Sequence, residues 1–348
     1  MKRLGVLTSG GDVPSLNAAL KWVTKQTLDE RVADEIIGFR NGFSGIVNQD
    51  YETLTRKNVR RWDRDGGTNL GSSGRYNVFD DKGVDRSSEF VSNLSKMDIG
   101  ALIITGGDGS LRQAYKLSQL GVPIIGIPKT IDLGIPGTSY TLGFLSAVDE
   151  NLEVMDKLRN TAGSHETITI METMGRELGH LAIYSGKVGH AGIILIPEYG
   201  FRIDDVVQRL IDRSKFARYD ILVVAEGALP YRVSRKEVDE VGGIGKYLEK
   251  KLKEMTQREV RYTNSGYLQR GAWPHAFDKL WALNMAIHAV NLTKERRDGL
   301  MVCRQNGVLT EIPLKYINDT PNTKIDIETQ YDPKKLLSSR NPKAFGNF

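Results

Sequence analysis

Residues 101–143 read ALIITGGDGSLRQAYKLSQLGVPIIGIPKTIDLGIPGTSYTLG, and the fold class follows from how this stretch is parsed. The apolar run at 101–104 has the length and bounding of a buried parallel strand. The turn Gly106-Gly107-Asp108-Gly109-Ser110 follows directly, and 111–120 then carries Leu111, Ala114, Leu117 and Leu120 at helical spacing. A second strand leads into a loop with Lys129, Thr130 and Asp132. Two strands of a βαβ unit therefore end in adjacent loops at the carboxyl edge of a sheet, where open α/β sheets bind ligands. Glycines let backbone N–H groups approach phosphate oxygens, and a helix start adds partial positive charge. Asp108 is suited to holding Mg²⁺ and Asp132 to accepting a proton. Each piece alone is common in α/β chains, as a strand-to-helix turn or a helix cap. Together they point to phosphoryl-transfer chemistry.

The same pattern lies upstream. A strand at 4–8 runs into Ser9-Gly10-Gly11-Asp12 and a helix over about 15–29, which offers a second set of backbone donors. Residues 35–39 suit a short strand. The loop Asp65-Gly66-Gly67-Thr68-Asn69-Leu70-Gly71-Ser72-Ser73-Gly74-Arg75 is too glycine-rich for helix or ordinary strand, and its hydroxyls and guanidinium suit a phosphate lid. Downstream the pattern begins again. Helices are expected at 145–159, 179–186, 203–213, 244–258 and 278–292, and strands at 167–171, 191–197, 220–225 and 259–263. The ends of this second set present Arg176 and Glu226. From Asp319 onward periodicity fades, and 338–348 reads as a loosely packed tail.

At 348 residues the chain predicts two domains of ordinary size. No apolar run approaches a membrane span, and 4–7 is too short for the apolar core of a signal peptide. A single Cys303 precludes an internal disulfide framework and suits a reducing cytoplasm. The net charge of +5 comes from scattered basic residues interleaved with acids. The densest cluster, 56–64, reads better as a solvated helix face than as a nucleic-acid patch. A cytoplasmic protein with neither nucleic acid nor membrane as partner is expected.

Taken in order, the loops are TSGGD with Asn17, GGTNLGS, GGDGS, PKTID, MGR, AEG and GYLQRG. This series resembles the phosphofructokinase family, from about residue 4 to about residue 307. The resemblance implies two Rossmann-like α/β lobes with mainly parallel sheets and the active site in the cleft between them. Residues 1–143 with about 269–318 would form the donor lobe and 144–268 the sugar-phosphate lobe, followed by a C-terminal extension at 319–348. It implies phosphoryl transfer to the 1-hydroxyl of fructose 6-phosphate, with Asp132 as general base, Thr130 beside the sugar and Asp108 as the Mg²⁺ ligand. Gly11, Gly107, Gly109, Ser110, Lys129 and Arg75 fall at the donor phosphates. Met174, Gly175, Arg176 and Glu226 fall at the sugar, with Arg176 also catalytic, and Arg261, Tyr267 and Arg270 at the 6-phosphate. In that family the counterpart of Arg261 comes from a neighbouring subunit, which implies a homodimer or homotetramer.

The chain also departs from the pattern. The family usually reads TIDND, whereas Leu133-Gly134 follows Asp132 here, so a second aspartate near the metal is missing. Thr167 stands where bacterial ATP-dependent members have an arginine for the 6-phosphate, and Ser15 replaces a usual glycine. Gly192 and Ala217 replace an effector-site glutamate and lysine. Gly109 leaves room for an ATP α-phosphate where pyrophosphate users carry a carboxylate, so ATP is the expected donor. Lys129 is common in pyrophosphate users and keeps pyrophosphate as the alternative. A kinase for another sugar phosphate and an inactive ligand-binding subunit are the further alternatives. Retention of Asp108, Asp132, Arg176 and Glu226 argues against the last.

Overall fold

A computed structural model describes residues 1–74 and 76–338. In chain order the strands are β1 (Arg3–Ser9), β2 (Glu35–Phe39), β3 (Tyr51–Leu54), β4 (Ile99–Gly106), β5 (Ile124–Pro128), β6 (Ile168–Thr173), β7 (Ile193–Leu195), β8 (Asp220–Ala225), β9 (Val260–Asn264), β10 (Leu300–Gln305) and β11 (Val308–Pro313). A small pair, β12 (Tyr331–Asp332) and β13 (Leu337–Ser338), follows. The residues divide into two compact units, and the chain passes between them after Ser146, Gln269 and Thr323.

The first unit holds a seven-stranded sheet in the order β11-β10-β5-β4-β1-β2-β3. Its five inner strands are parallel; β3 and β11 close the edges in antiparallel fashion. Strands such as β4 and β5 are buried over almost their whole length, which is why they read as unbroken apolar runs. One face packs under helices Leu16–Asp29 and Ala276–Lys294 with Val23, Met285 and Val302 in the core. The other packs around Phe43, Phe90, Leu111 and Ile317. The direction of strand addition reverses between β1 and β4, so the crevice for a ligand opens where those strands end.

The second unit holds the four-stranded parallel sheet β7-β8-β6-β9. Its two cores lie on opposite faces, one around Ile168, Leu222 and Leu248, the other around Met171, Ile183 and Val223. The class is therefore the expected one, α/β with mainly parallel sheets.

Several local expectations are corrected. Residues 56–64 are not a helix face. Asn58 accepts from the Thr55 amide at 2.8 Å and closes a turn instead, and only the short 3-10 turn Trp62–Arg64 is helical. Residues 266–271, expected as a loop, form the helix Gly266–Gly271. Of the described part of the 319–348 stretch, residues to Thr323 pack with the first unit and residues 324–338 with the second. Ile325, Tyr331 and Leu336 bury apolar surface there that the weak periodicity did not signal. The expected tail lies almost wholly outside the described residues.

Candidate active site

In the first unit the two glycine turns leave neighbouring strands. Ser9 pairs with Gly106 at the ends of β1 and β4, and Ser110 donates to the Ser9 hydroxyl at 2.9 Å. Gly10 adopts φ 86°, where a side chain would be strained. Lys129, 2% exposed, leaves β5 beside Gly106 and donates from Nζ to the Gly11 carbonyl at 2.6 Å. Its role here is to clamp the first glycine turn from within. Ser72 donates to the Gly10 carbonyl, so the 65–74 loop lies over the same turn. Buried Asn17 organises that loop: its amide donates to the carbonyls of Asp65 and Gly66 and accepts from the Asn69 amide at 2.7 Å. A cavity of about 310 Å³ results, lined by Gly10, Gly11, Asp12, Thr68, Ser72, Gly74 and Arg270.

Asp108 opens helix Asp108–Ser118, two residues beyond β4's Gly106 and directly after the extended Gly107. A Cβ on Gly109 would meet nothing, so the space beside this helix start is open. Asn322, from the far end of the unit's sequence, donates to the Asp108 carboxylate at 3.3 Å. On the adjoining loop the Asp132 amide donates to Thr130 Oγ1 at 3.1 Å, which fixes the backbone around the predicted base. Leu133 follows at φ 57°, a left-handed conformation uncomfortable for leucine and held by its burial.

In the second unit the strand ends gather another polar group. Glu226, after β8, accepts from the Arg176 amide at 2.7 Å, so its carboxylate fixes the Met174–Arg176 turn. Arg235 binds the carbonyls of Glu226 and Gly227 at 2.9 and 2.8 Å. Position 227 must be glycine, because a Cβ would lie 1.9 Å from the Arg176 carbonyl oxygen. The Met174 amide donates to Gln269 at 3.2 Å, and the Arg176 side chain is exposed. Glu172, buried near the end of β6, accepts from the Gly245 amide, the Tyr262 hydroxyl and the Asn264 amide. Burial pushes its pKa up, against the pull of the Gly245 amide and the Tyr262 hydroxyl; burial likewise lifts Tyr262 to about 12.

The structure thus brings together Gly11, Gly107, Asp108, Ser110 and Lys129 at one sheet edge of the first unit, and Met174, Gly175, Arg176 and Glu226 at one edge of the second. Thr130 and Asp132 occupy the loop next to the first group. Arg270, expected at a sugar phosphate, has its guanidinium on Asp12 and over Gly11. Tyr267 is 78% exposed on its short helix. Arg261 sits near the amino end of β9, three positions before Asn264, and pairs with Glu259 at 2.8 Å. Thr167 is fully buried against Thr169 and presents nothing to a ligand. Gly192 lies against the Arg213 guanidinium, which pairs with buried Asp220 at 2.5 Å, so a glutamate there would displace that pair. Arg75 lies outside the described residues. Sequence reading missed Glu172, whose only signal was a carboxylate inside a buried strand, and Asn322, which had none.

A parallel-sheet enzyme with a glycine cradle and carboxylates at its switch point belongs to the phosphate-handling α/β class. The comparisons narrow this. Residues 3–293 match the family profile described as phosphofructokinase. The chain is 38% identical over 93% of its length, and 96% of the relative's, to a protein named ATP-dependent 6-phosphofructokinase of Bacillus pumilus. It is 39% identical to one of that name from Listeria welshimeri, over 89% and 92% of the two chains. A pyrophosphate-dependent phosphofructokinase of Marinobacter aquaeolei shares the fold with a TM-score of 0.88, covering 99% and 90% of the chains at 22% identity. The phosphofructokinase of Saccharomyces cerevisiae matches with a TM-score of 0.80 at 26% identity, over 92% of this chain and 45% of that one. This chain belongs to the phosphofructokinase family, and it is an enzyme of the kinase type.

Proposed function

We propose that the protein transfers the γ-phosphoryl group of ATP to the 1-hydroxyl of fructose 6-phosphate, with Asp132 taking the hydroxyl proton. The observation that carries this reading is the glycine cradle with Asp108 and Asp132 at one sheet edge, in a chain 38% identical over 93% of its length to a named ATP-dependent 6-phosphofructokinase. Open space at Gly109 supports ATP over pyrophosphate, since nothing crowds the position where a bulkier donor would extend.

Phosphoryl transfer through a loose transition state needs positioning and fixed charge more than covalent help. Backbone amides around Gly11 and Gly107 would hold donor oxygens, with Arg270 kept over Gly11 by Asp12. Asp108 would hold Mg²⁺, and its hard carboxylate oxygen beside the Asn322 side chain, whose carbonyl oxygen is buried and unpaired, fits such an ion. Bound there, the ion would neutralise charge on the donor phosphates. Arg176 and Glu226 would orient the sugar. A homo-oligomer is part of the reading: Arg261 stands about 10 Å down β9 from that strand's carboxyl end, where a neighbouring copy could receive it.

A different ketose phosphate as acceptor is the second reading, favoured by the burial of Thr167 where an arginine would grip the 6-phosphate. The test is purified protein with Mg²⁺, crossing ATP and pyrophosphate with fructose 6-phosphate and other sugar phosphates. Fast turnover of ATP with fructose 6-phosphate supports the first reading; turnover of pyrophosphate alone, or of another acceptor alone, overturns it. Asp132→Asn should lower kcat by roughly 10²–10⁴ while sugar binding stays near wild type. Near-normal turnover would move the base elsewhere.

A further inference from the structure

The loop after Asp132 has Leu133-Gly134 and no second carboxylate, yet a polar side chain does reach Asp108, from a distant part of the sequence. Arg112, one turn along the helix that Asp108 opens, binds the carbonyls of Asn318 and Thr320 at 2.7 and 3.0 Å. The Thr323 amide donates to the Gly134 carbonyl at 2.9 Å. These bonds pin the 318–323 segment to both the Asp108 helix and the 132–134 loop. Asn322 lies between the two anchors, with Nδ2 at 3.3 Å from Asp108 Oδ2 and Oδ1 buried without a hydrogen-bond partner.

An unpaired buried carbonyl oxygen costs free energy unless something else uses it. A half-turn about the last side-chain torsion exchanges the oxygen and nitrogen of an asparagine in nearly the same volume. It would set Oδ1 close to where Nδ2 now lies, about 3.3 Å from the Asp108 oxygen. Two oxygens in adjacent positions on an octahedral Mg²⁺, with bonds of about 2.1 Å, lie about 3.0 Å apart. Asparagine carbonyls are ordinary ligands for hard cations. We propose that Asn322 is a metal-site residue: its amide donates to Asp108 as described, and its carbonyl turns to the divalent cation when Mg²⁺ and nucleotide are bound. The C-terminal segment thereby supplies the oxygen that the loop at Gly134 lacks. The assignment rests on the kinase reading given above.

The two roles open to Asn322 predict opposite effects. If it only donates to Asp108, its removal frees that carboxylate and leaves cation binding equal or tighter. If it is a ligand, removal weakens it. The experiment is electron paramagnetic resonance of Mn²⁺, titrated into the full-length protein with a non-hydrolysable ATP analogue, and compared with analogue binding in EDTA. Asn322→Ala should weaken Mn²⁺ about fivefold or more, with metal-free analogue binding unchanged. Asn322→Asp, which keeps the size of the side chain, should tighten Mn²⁺ at least threefold, and guards against a folding defect in the alanine variant. Wild-type Mn²⁺ affinity in Asn322→Ala, or weaker affinity in Asn322→Asp, overturns the assignment alone. A wild-type protein that holds no Mn²⁺ with the analogue overturns the kinase reading with it.

Discussion

Ser15 carries more information than its small side chain suggests. It caps helix Leu16–Asp29 at φ 75°, in the left-handed region, and its hydroxyl is buried without a partner. A left-handed L-residue costs about 1–2 kcal/mol, partly offset by the greater freedom glycine has in the unfolded chain. Burying an unpaired hydroxyl adds to the cost. Ser15→Gly should therefore stabilise the protein by about 1 kcal/mol, read from urea unfolding midpoints at constant m-value. A loss of stability would mean that the hydroxyl has a partner or that the backbone there is not left-handed. Ser15 stood out in the sequence as a break in a glycine pattern, so the anomaly was legible but its cause, a positive φ, was not. Gly227 is the converse case. The sequence shows it only as the last residue of the AEG motif, since the constraint, the Arg176 carbonyl oxygen fifty-one residues earlier, has no local signal.

Among the elements, the 65–74 loop has the firmest local logic. It has no secondary structure of its own, and Asn17 on a neighbouring helix satisfies its backbone. Asn17→Ala would leave those backbone groups unpaired and the loop loosened over Gly10. We expect faster amide hydrogen exchange across 65–74 and a KM for ATP raised about tenfold, with the KM of the sugar little changed. An unaltered ATP KM would detach the loop from donor binding. The elements also show how much the sequence carried. Strands β4, β5 and β8 and the helices that follow glycine turns were legible because period, length and turn chemistry agree. The residues 56–64 misled because a charged run satisfies a helical pattern as easily as a turn closed by Thr55 and Asn58. The donor cradle was legible because its residues sit on contiguous motifs. Arg270 on Asp12, Glu172 under its three donors and Asn322 on Asp108 depend on strand order and long-range return of the chain, for which local pattern has no signal.

For the molecule as a whole, Asp278 gives a pH dependence. Fully buried at the start of helix Ala276–Lys294, it accepts from the Gly143 and Ser146 amides at 3.2 and 2.9 Å. Burial nevertheless pushes its pKa up to about 7. An unfolded aspartate titrates near 3.9, so the folded state binds the extra proton between those values. The contribution to stability is complete below about pH 4 and lost as pH rises through about 7. Against Asp278→Asn, which stays neutral, wild-type protein should lose relative stability between pH 4 and pH 8 in urea titrations. A difference that does not vary with pH would return the carboxyl to an ordinary pKa.

The first unit is discontinuous, with β10, β11 and helix Ala276–Lys294 arriving after the 147–269 stretch of the second. On the ribosome this becomes a matter of timing. After β5 leaves the exit tunnel, some 170 further codons must be read before its neighbour β10 follows it out, roughly ten to thirty seconds at ordinary translation rates. Throughout that interval Ile124 and Ile125 line an open sheet edge, of the kind that pairs with other chains. An edge open to aggregation is thus built into the protein's own translation, and slower decoding of the second unit would lengthen that exposure.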